Sequence, residues 1–135
     1  MIDNIYYKKK HLATILRSSF SKKGVNFFSE KSNELQLGFM SYDAGHAIKP
    51  HKHNIIERQI FSTQEVLVIK KGKLKVNFFN DENSLISSHI LFAGDVILLI
   101  SGAHGFEVLE NVDFIEIKQG PYIEEQDKVR FDPIS

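Results

Sequence analysis

The stretch HKHNIIERQIFSTQE, His51 to Glu65, carries two histidines one residue apart and two glutamates. On an extended strand His51 and His53 would share a face, because side chains alternate with a period of two. Two imidazoles on one face can bind one divalent ion, and a carboxylate is the usual further ligand. Glu57 and Glu65 are the candidates for that carboxylate. His104, delivered by a short turn after a strand, adds a third imidazole from elsewhere in the chain. The set His51, His53, Glu65 and His104 suits one divalent transition metal ion per chain, Fe, Mn, Ni, Cu or Zn, with positions left open for water or substrate.

The choice between the two glutamates rests on reach. An extended chain advances about 3.3 Å per residue, which carries Glu57 about 13 Å beyond His53. A sharp bend would bring Glu57 back, but NIIERQI contains neither glycine nor proline. Glu65 opens a strand whose face also carries Leu67 and Ile69, and a neighbouring strand lies only about 5 Å away. The reading favours Glu65, with Glu57 as the alternative. His11, His46 and His89 lack a partner pattern and read as structural or exposed. Glu57 and Arg58 read as an ion pair at the mouth or as solvated loop charges. By parity, Ile115, Ile117 and Gln119 share one face of the last strand, and because isoleucines usually face the core that face reads as inward, with Gln119 approaching the cavity from its end. Phe39, Phe61 and Phe106 are candidates for an apolar wall.

These residues need strands to hold them. EVLVIKKGKLKVNFF reads as two β-rich runs around a glycine turn, a hairpin signal. LISSHILF, VILLI, HGFEVL and FIEIK follow, separated by the polar or glycine-bearing turns NDENS, AGD, SGA and ENVD. Short strands at near-regular spacing point to an all-β antiparallel barrel or sandwich. Strands also resume at LQLGFMSY, with HAIKPHKH following a DAG turn. Earlier, Leu12, Ile15, Leu16 and Phe20 fall at helical spacing, yet LATILR is equally a plausible edge strand. The chain divides into an N-terminal extension over 1–34, an edge strand or short helix, a barrel over 35–120, and a C-terminal tail over 121–135.

At 135 residues the chain is long enough for one core. Seventeen basic and seventeen acidic side chains cancel, which argues against nucleic acid or an anionic membrane as the main partner. There is no cysteine, so disulfides and thiolate metal sites are excluded. No apolar run has the length of a membrane span, and the start lacks the order of a signal peptide; a cytoplasmic protein is the expectation.

The spacing resembles that of the cupin superfamily. Gly45, five residues, His51-Lys52-His53, then Glu65, six residues and Gly72 follow its first motif. Gly94 to Val108, with His104, follows its second. The departures are specific. Eleven residues separate His53 from Glu65 where the family has three or four, Ile100 replaces a proline, the turn before His104 is one residue short, and Val108 replaces an asparagine. The resemblance spans Gly45 to Lys118. It implies a single antiparallel β-barrel of the jelly-roll type, with the ligand roles on His51, His53, Glu65 and His104. The tail KQGPYIEEQDKVRF, together with GDVILLISGAHGFE, is similar to short single-domain bacterial cupins of unassigned activity, and relatives of that size are often associated with nucleotide-sugar and surface-polysaccharide pathways.

Three functions follow as expectations. One is a metal-dependent protein acting on or binding a small polar molecule, such as a carbohydrate or nucleotide-sugar, in the barrel mouth. Another is a metal-free sugar isomerase or epimerase, with His53 or His104 as general base. The last is a non-catalytic ligand-binding module; fold alone does not separate the three. Whether the chain is an enzyme, and which residues would be catalytic, the sequence leaves open. A homodimer is expected, with the N-terminal segment covering a neighbour's sheet edge.

Overall fold

A computed structural model describes every residue except Glu125 and Ser135, so two positions of the 121–135 tail lie outside the described residues. Among the described residues there is no helix. Eight strands run in chain order: β1 Ile2–Tyr7, β2 Lys10–Leu16, β3 Gly24–Phe27, β4 Gly38–Ser41, β5 Glu65–Phe79, β6 Leu85–Phe92, β7 Val96–Leu99 and β8 Ala103–Lys118. The main sheet has the order β1-β2-β7-β5-β6, with β8 on the other side of β5, and every pairing is antiparallel. It curls into a half-barrel. β3 and β4 form a separate small sheet, beside which Phe20 meets Phe28 and Phe39 edge-on at 5.0 and 5.1 Å.

The segment left open between helix and edge strand is a strand in the interior of the sheet. β2 lies between β1 and β7, and Leu12, Ala13, Ile15 and Leu16 are buried. Helical spacing of Leu12, Ile15 and Leu16 was also compatible with a strand covered on both faces, as burial of Thr14 and Leu98 there shows. The N-terminal segment therefore pairs within its own sheet.

The expected hairpin at Lys-Lys-Gly-Lys does not form. β5 continues through Gly72, and β8 accompanies it through ENVD, from Glu65 opposite Lys118 to Phe79 opposite Ala103. The two strands make one long ribbon, with register shifts between Ile69 and Leu74 marking the bend. Gly72 has φ of +87°, and a Cβ there would run into the carbonyl of Asn111 on β8. A left-handed glycine is as much the signature of such a bend as of a turn.

The bend changes which residues face inward. Leu67 and Ile69 before it and Leu74, Val76 and Phe78 after it all belong to the buried core. The inward positions of β5 thus pass from odd to even numbers, as an irregular register requires. Ile15, Ile97, Leu99 and Leu91 complete the same core from neighbouring strands.

The β6–β7 turn is held from several sides. The buried Asp95 carboxylate accepts from the backbone N–H of Phe92 at 2.8 Å, from that of Ser18 at 2.8 Å and from Arg17 at 3.0 Å. Arg17 also pairs with Asp3 on β1 at 2.8 Å. One carboxylate thereby ties β1, the end of β2 and the β6–β7 turn together.

Candidate functional site

Glu65 and His104 stand at opposite ends of the bent ribbon, and the bend brings them together. His104 pairs with Phe78 across the ladder and Glu65 with Lys118, both on the inward face. His104 Nε2 lies 3.4 Å from Glu65 Oε2. The Glu65 side chain is 13% exposed and that of His104 26%, so the pair is partly shielded but reachable.

Short-range contacts fix each partner. The residue before Glu65, Gln64, is buried; its side chain accepts from the Leu35 N–H, and its backbone carbonyl from the Gln119 N–H. The turn that delivers His104 is pinned to β2: the N–H groups of Ile100 and Ser101 both donate to the Leu12 carbonyl, and the Ser101 hydroxyl donates to the His11 carbonyl at 2.7 Å. Gly102, with φ of +81°, makes the turn itself.

The pair lines a cavity of about 1000 Å³. Leu67, Phe79, Phe106 and Phe114 give it apolar walls, and Glu116 faces it from β8. The C-terminal segment crosses the cavity, contributing Lys128, Arg130 and Phe131. It is moored by Asp127, which meets Lys118 at 3.4 Å, by Phe131 edge-on to Phe79 at 5.4 Å, and by the Ile134 N–H donating to Asn83. The Glu65 carboxyl is held below its ordinary range, first by its contact with the His104 ring and further by the nearby charges of Lys118 and Lys128, against a burial effect of opposite sign.

The remaining expected site residues lie elsewhere. Residues 42–64 have no regular secondary structure, so His51 and His53 sit on an exposed loop and not on a strand. An HxH segment takes up a strand only where another strand offers hydrogen bonds, and none runs beside this one. His51 Nδ1 contacts the Lys49 carbonyl at 3.0 Å, and the two rings meet edge-on at 5.3 Å. Glu57 lies on the same exposed loop. It is Glu65 that meets His104. The four side chains that the cupin resemblance implies as ligands therefore stand as two pairs. Among the described residues no three of His, Asp or Glu converge as a metal cluster, so the structure brings together two of the four.

The parity reading of β8 is corrected. Ile115 and Ile117 face outward, at 47% and 52% exposure, while Phe114 and Glu116 line the cavity. The ladder decides this, since Phe114 stands opposite the core residue Ile69 and Glu116 opposite Leu67. Of the three phenylalanines expected at the wall, Phe106 is there. Phe61 instead lines a separate groove with Arg58 and Gln119, and Phe39 packs on Phe20. His46 stacks on Tyr42, and His11 on Tyr6. His89 lies beside Phe78, and burial lowers its basicity. Lys128 and Arg130 were missed; the only signal was the alternation in DKVRF, which places both on one side of an extended segment.

No family model, curated protein or solved structure matches this chain.

Proposed function

We propose that the chain is a cupin-type barrel protein that binds a small polar molecule beneath its C-terminal segment and moves a proton on it with His104. The observation that carries this reading is the approach of Glu65 to His104 at 3.4 Å inside a cavity. With Nε2 turned toward a carboxylate, that nitrogen carries the proton and Nδ1 is left as the base. Glu65 orients the ring, as a carboxylate does for a general base. Lys128 and Arg130 line the same cavity and supply positive charge for an oxygen that becomes anionic when a neighbouring carbon loses its proton. The chemistry is enolisation of a carbonyl compound, the first half of an isomerisation or epimerisation. Carbohydrates with a carbonyl group are the substrate class.

The test is deuterium uptake from heavy water into a panel of keto- and aldo-sugars, free and nucleotide-linked, followed by NMR. Wild-type protein should exchange the hydrogen next to the carbonyl of at least one of them. His104→Asn should lower the rate by about 100-fold or more. Exchange that survives in His104→Asn, or no exchange across the panel, would overturn the reading.

A second reading keeps the metal that the cupin resemblance implies, with Glu65 and His104 as two ligands of one divalent ion and His51 and His53 as the others. It is favoured by the same close pair, since two ligands distant in sequence already lie side by side. It requires the 42–64 loop to carry its histidines to the cavity. A bound ion would supply Lewis-acid polarisation of a carbonyl or hydroxyl.

A further inference from the structure

We infer that the C-terminal segment from Gln126 to Ile134 is a lid, whose far end releases Phe79 and Asn83 to admit a ligand to the Glu65–His104 cavity and then closes over it. The inference goes beyond the proton transfer proposed in that cavity and does not depend on it.

The segment lies across the cavity without being built into the sheet. From Lys128 to Pro133 it has no regular secondary structure, and Ile134 then forms a single parallel bridge to Ser84. Among the described residues, the one backbone hydrogen bond of 128–134 runs from the Ile134 N–H to the Asn83 carbonyl at 2.9 Å. Only Asp127 and Phe131 of this segment are partly buried; the rest are exposed, Val129 at 90%. A segment with so few apolar contacts and so few internal hydrogen bonds belongs to the part of a fold that opens most readily.

Its two ends are held differently. At the near end the Asp127 carboxylate meets Lys118 at 3.4 Å and accepts from the Thr63 hydroxyl at 3.4 Å. Lys118 ends β8, only nine residues before Asp127, so this contact closes a short loop and re-forms easily. At the far end Phe131 meets Phe79 edge-on at 5.4 Å, and Ile134 meets Asn83 and Ser84. Those partners belong to β5 and the turn after it, remote in sequence, so the far end is the one that swings.

Between the ends, Lys128 and Arg130 line the cavity, and among the described residues neither makes an ion pair. The middle of the lid is thus tied to nothing of its own. Beneath it, the Glu65 and His104 side chains are mostly covered.

The reagent diethyl pyrocarbonate, which modifies histidine rings, tests this when its rate at each histidine is read from peptide masses. Phe131→Ala should speed modification of His104 by about fivefold or more. His51 and His53, on the exposed loop, should keep their rates and serve as internal references. Ser84→Cys with Ile134→Cys places two thiols on bridged partners in a chain that has no cysteine of its own. Oxidised to the disulfide, this protein should react at His104 at least about fivefold more slowly than after reduction and removal of the reductant. An unchanged His104 rate in the locked protein, or in a folded Phe131→Ala protein, would overturn the inference. A rise at His104 that the half-buried His89 shares would report unfolding of the Phe131→Ala protein, and the locked protein then decides alone.

Discussion

Gly72 on β5 packs against the main chain of Asn111 on β8 so closely that a single added methyl group would overlap the Asn111 carbonyl. This contact is where the ribbon bends, and the bend is what brings Glu65 to His104. Gly72→Ala should therefore destabilise the fold by more than about 2 kcal/mol, from the collision and the left-handed backbone together. Gly45→Ala is the comparison, because Gly45 has φ of +91° with open space around it. Its loss should be about 1 kcal/mol, all of it backbone strain. Chemical denaturation of the two variants checks the difference; equal losses would mean that the close approach contributes nothing.

Asp95 predicts a second weak point. Its carboxylate satisfies two backbone N–H groups and Arg17, and it is 2% exposed. Asp95→Ala leaves three donors without their acceptor and should cost about 3 kcal/mol. Asp95→Asn retains an acceptor oxygen and should cost less. Melting temperatures of the two variants should fall in that order.

The lowered pKa of Glu65 makes its contribution pH-dependent. A carboxyl whose folded value lies below its ordinary 4.5 stabilises the fold above that value, and the stabilisation is lost as pH falls through the folded value. Wild type should exceed Glu65→Gln in stability by about 1 kcal/mol at neutral pH, and the gap should close on acidification below 4.5. A gap constant from pH 7 to pH 3 would show that the His104 contact does not hold the charge.

Chelation separates the two functional readings. On the acid–base reading, turnover survives exhaustive dialysis against a chelator. On the metal reading, protein purified without an affinity tag carries close to one ion per chain by elemental analysis. That content falls in His51→Ala and in His104→Ala alike, and turnover stops on chelation and returns with a divalent ion. The acid–base reading expects the His51→Ala protein to behave as wild type.

Much of the strand pattern after Glu65 was legible because apolar alternation and turn residues both mark it. The turns at Gly94-Asp95 and Gly102 are local events, and local residues encode them. The bend at Gly72 was misread because a left-handed glycine serves a hairpin and a bulge equally, and only the run of β8 alongside tells them apart. The outward isoleucines of β8 were misread for a related reason. Which face of an edge strand is covered depends on its single neighbour, and the rule that isoleucine turns inward assumes cover that this chain alone does not provide. Glu65 was singled out from reach and parity, both of which the local chain fixes. Lys128 and Arg130 acquire meaning only when the tail returns across the cavity, a path no short-range pattern specifies.

The shift of inward positions along β5 from odd to even numbers bears on which changes of length the chain tolerates. Deleting or inserting one residue between 69 and 74 would turn the whole run from Leu74 to Phe79 inside out, exposing Val76 and Phe78 and burying Lys75 and Asn77. The loop over 42–64 has no such phase to keep. Descendants of this sequence can lengthen or shorten that loop freely, while the few residues around Gly72 must keep their number even where their identities drift.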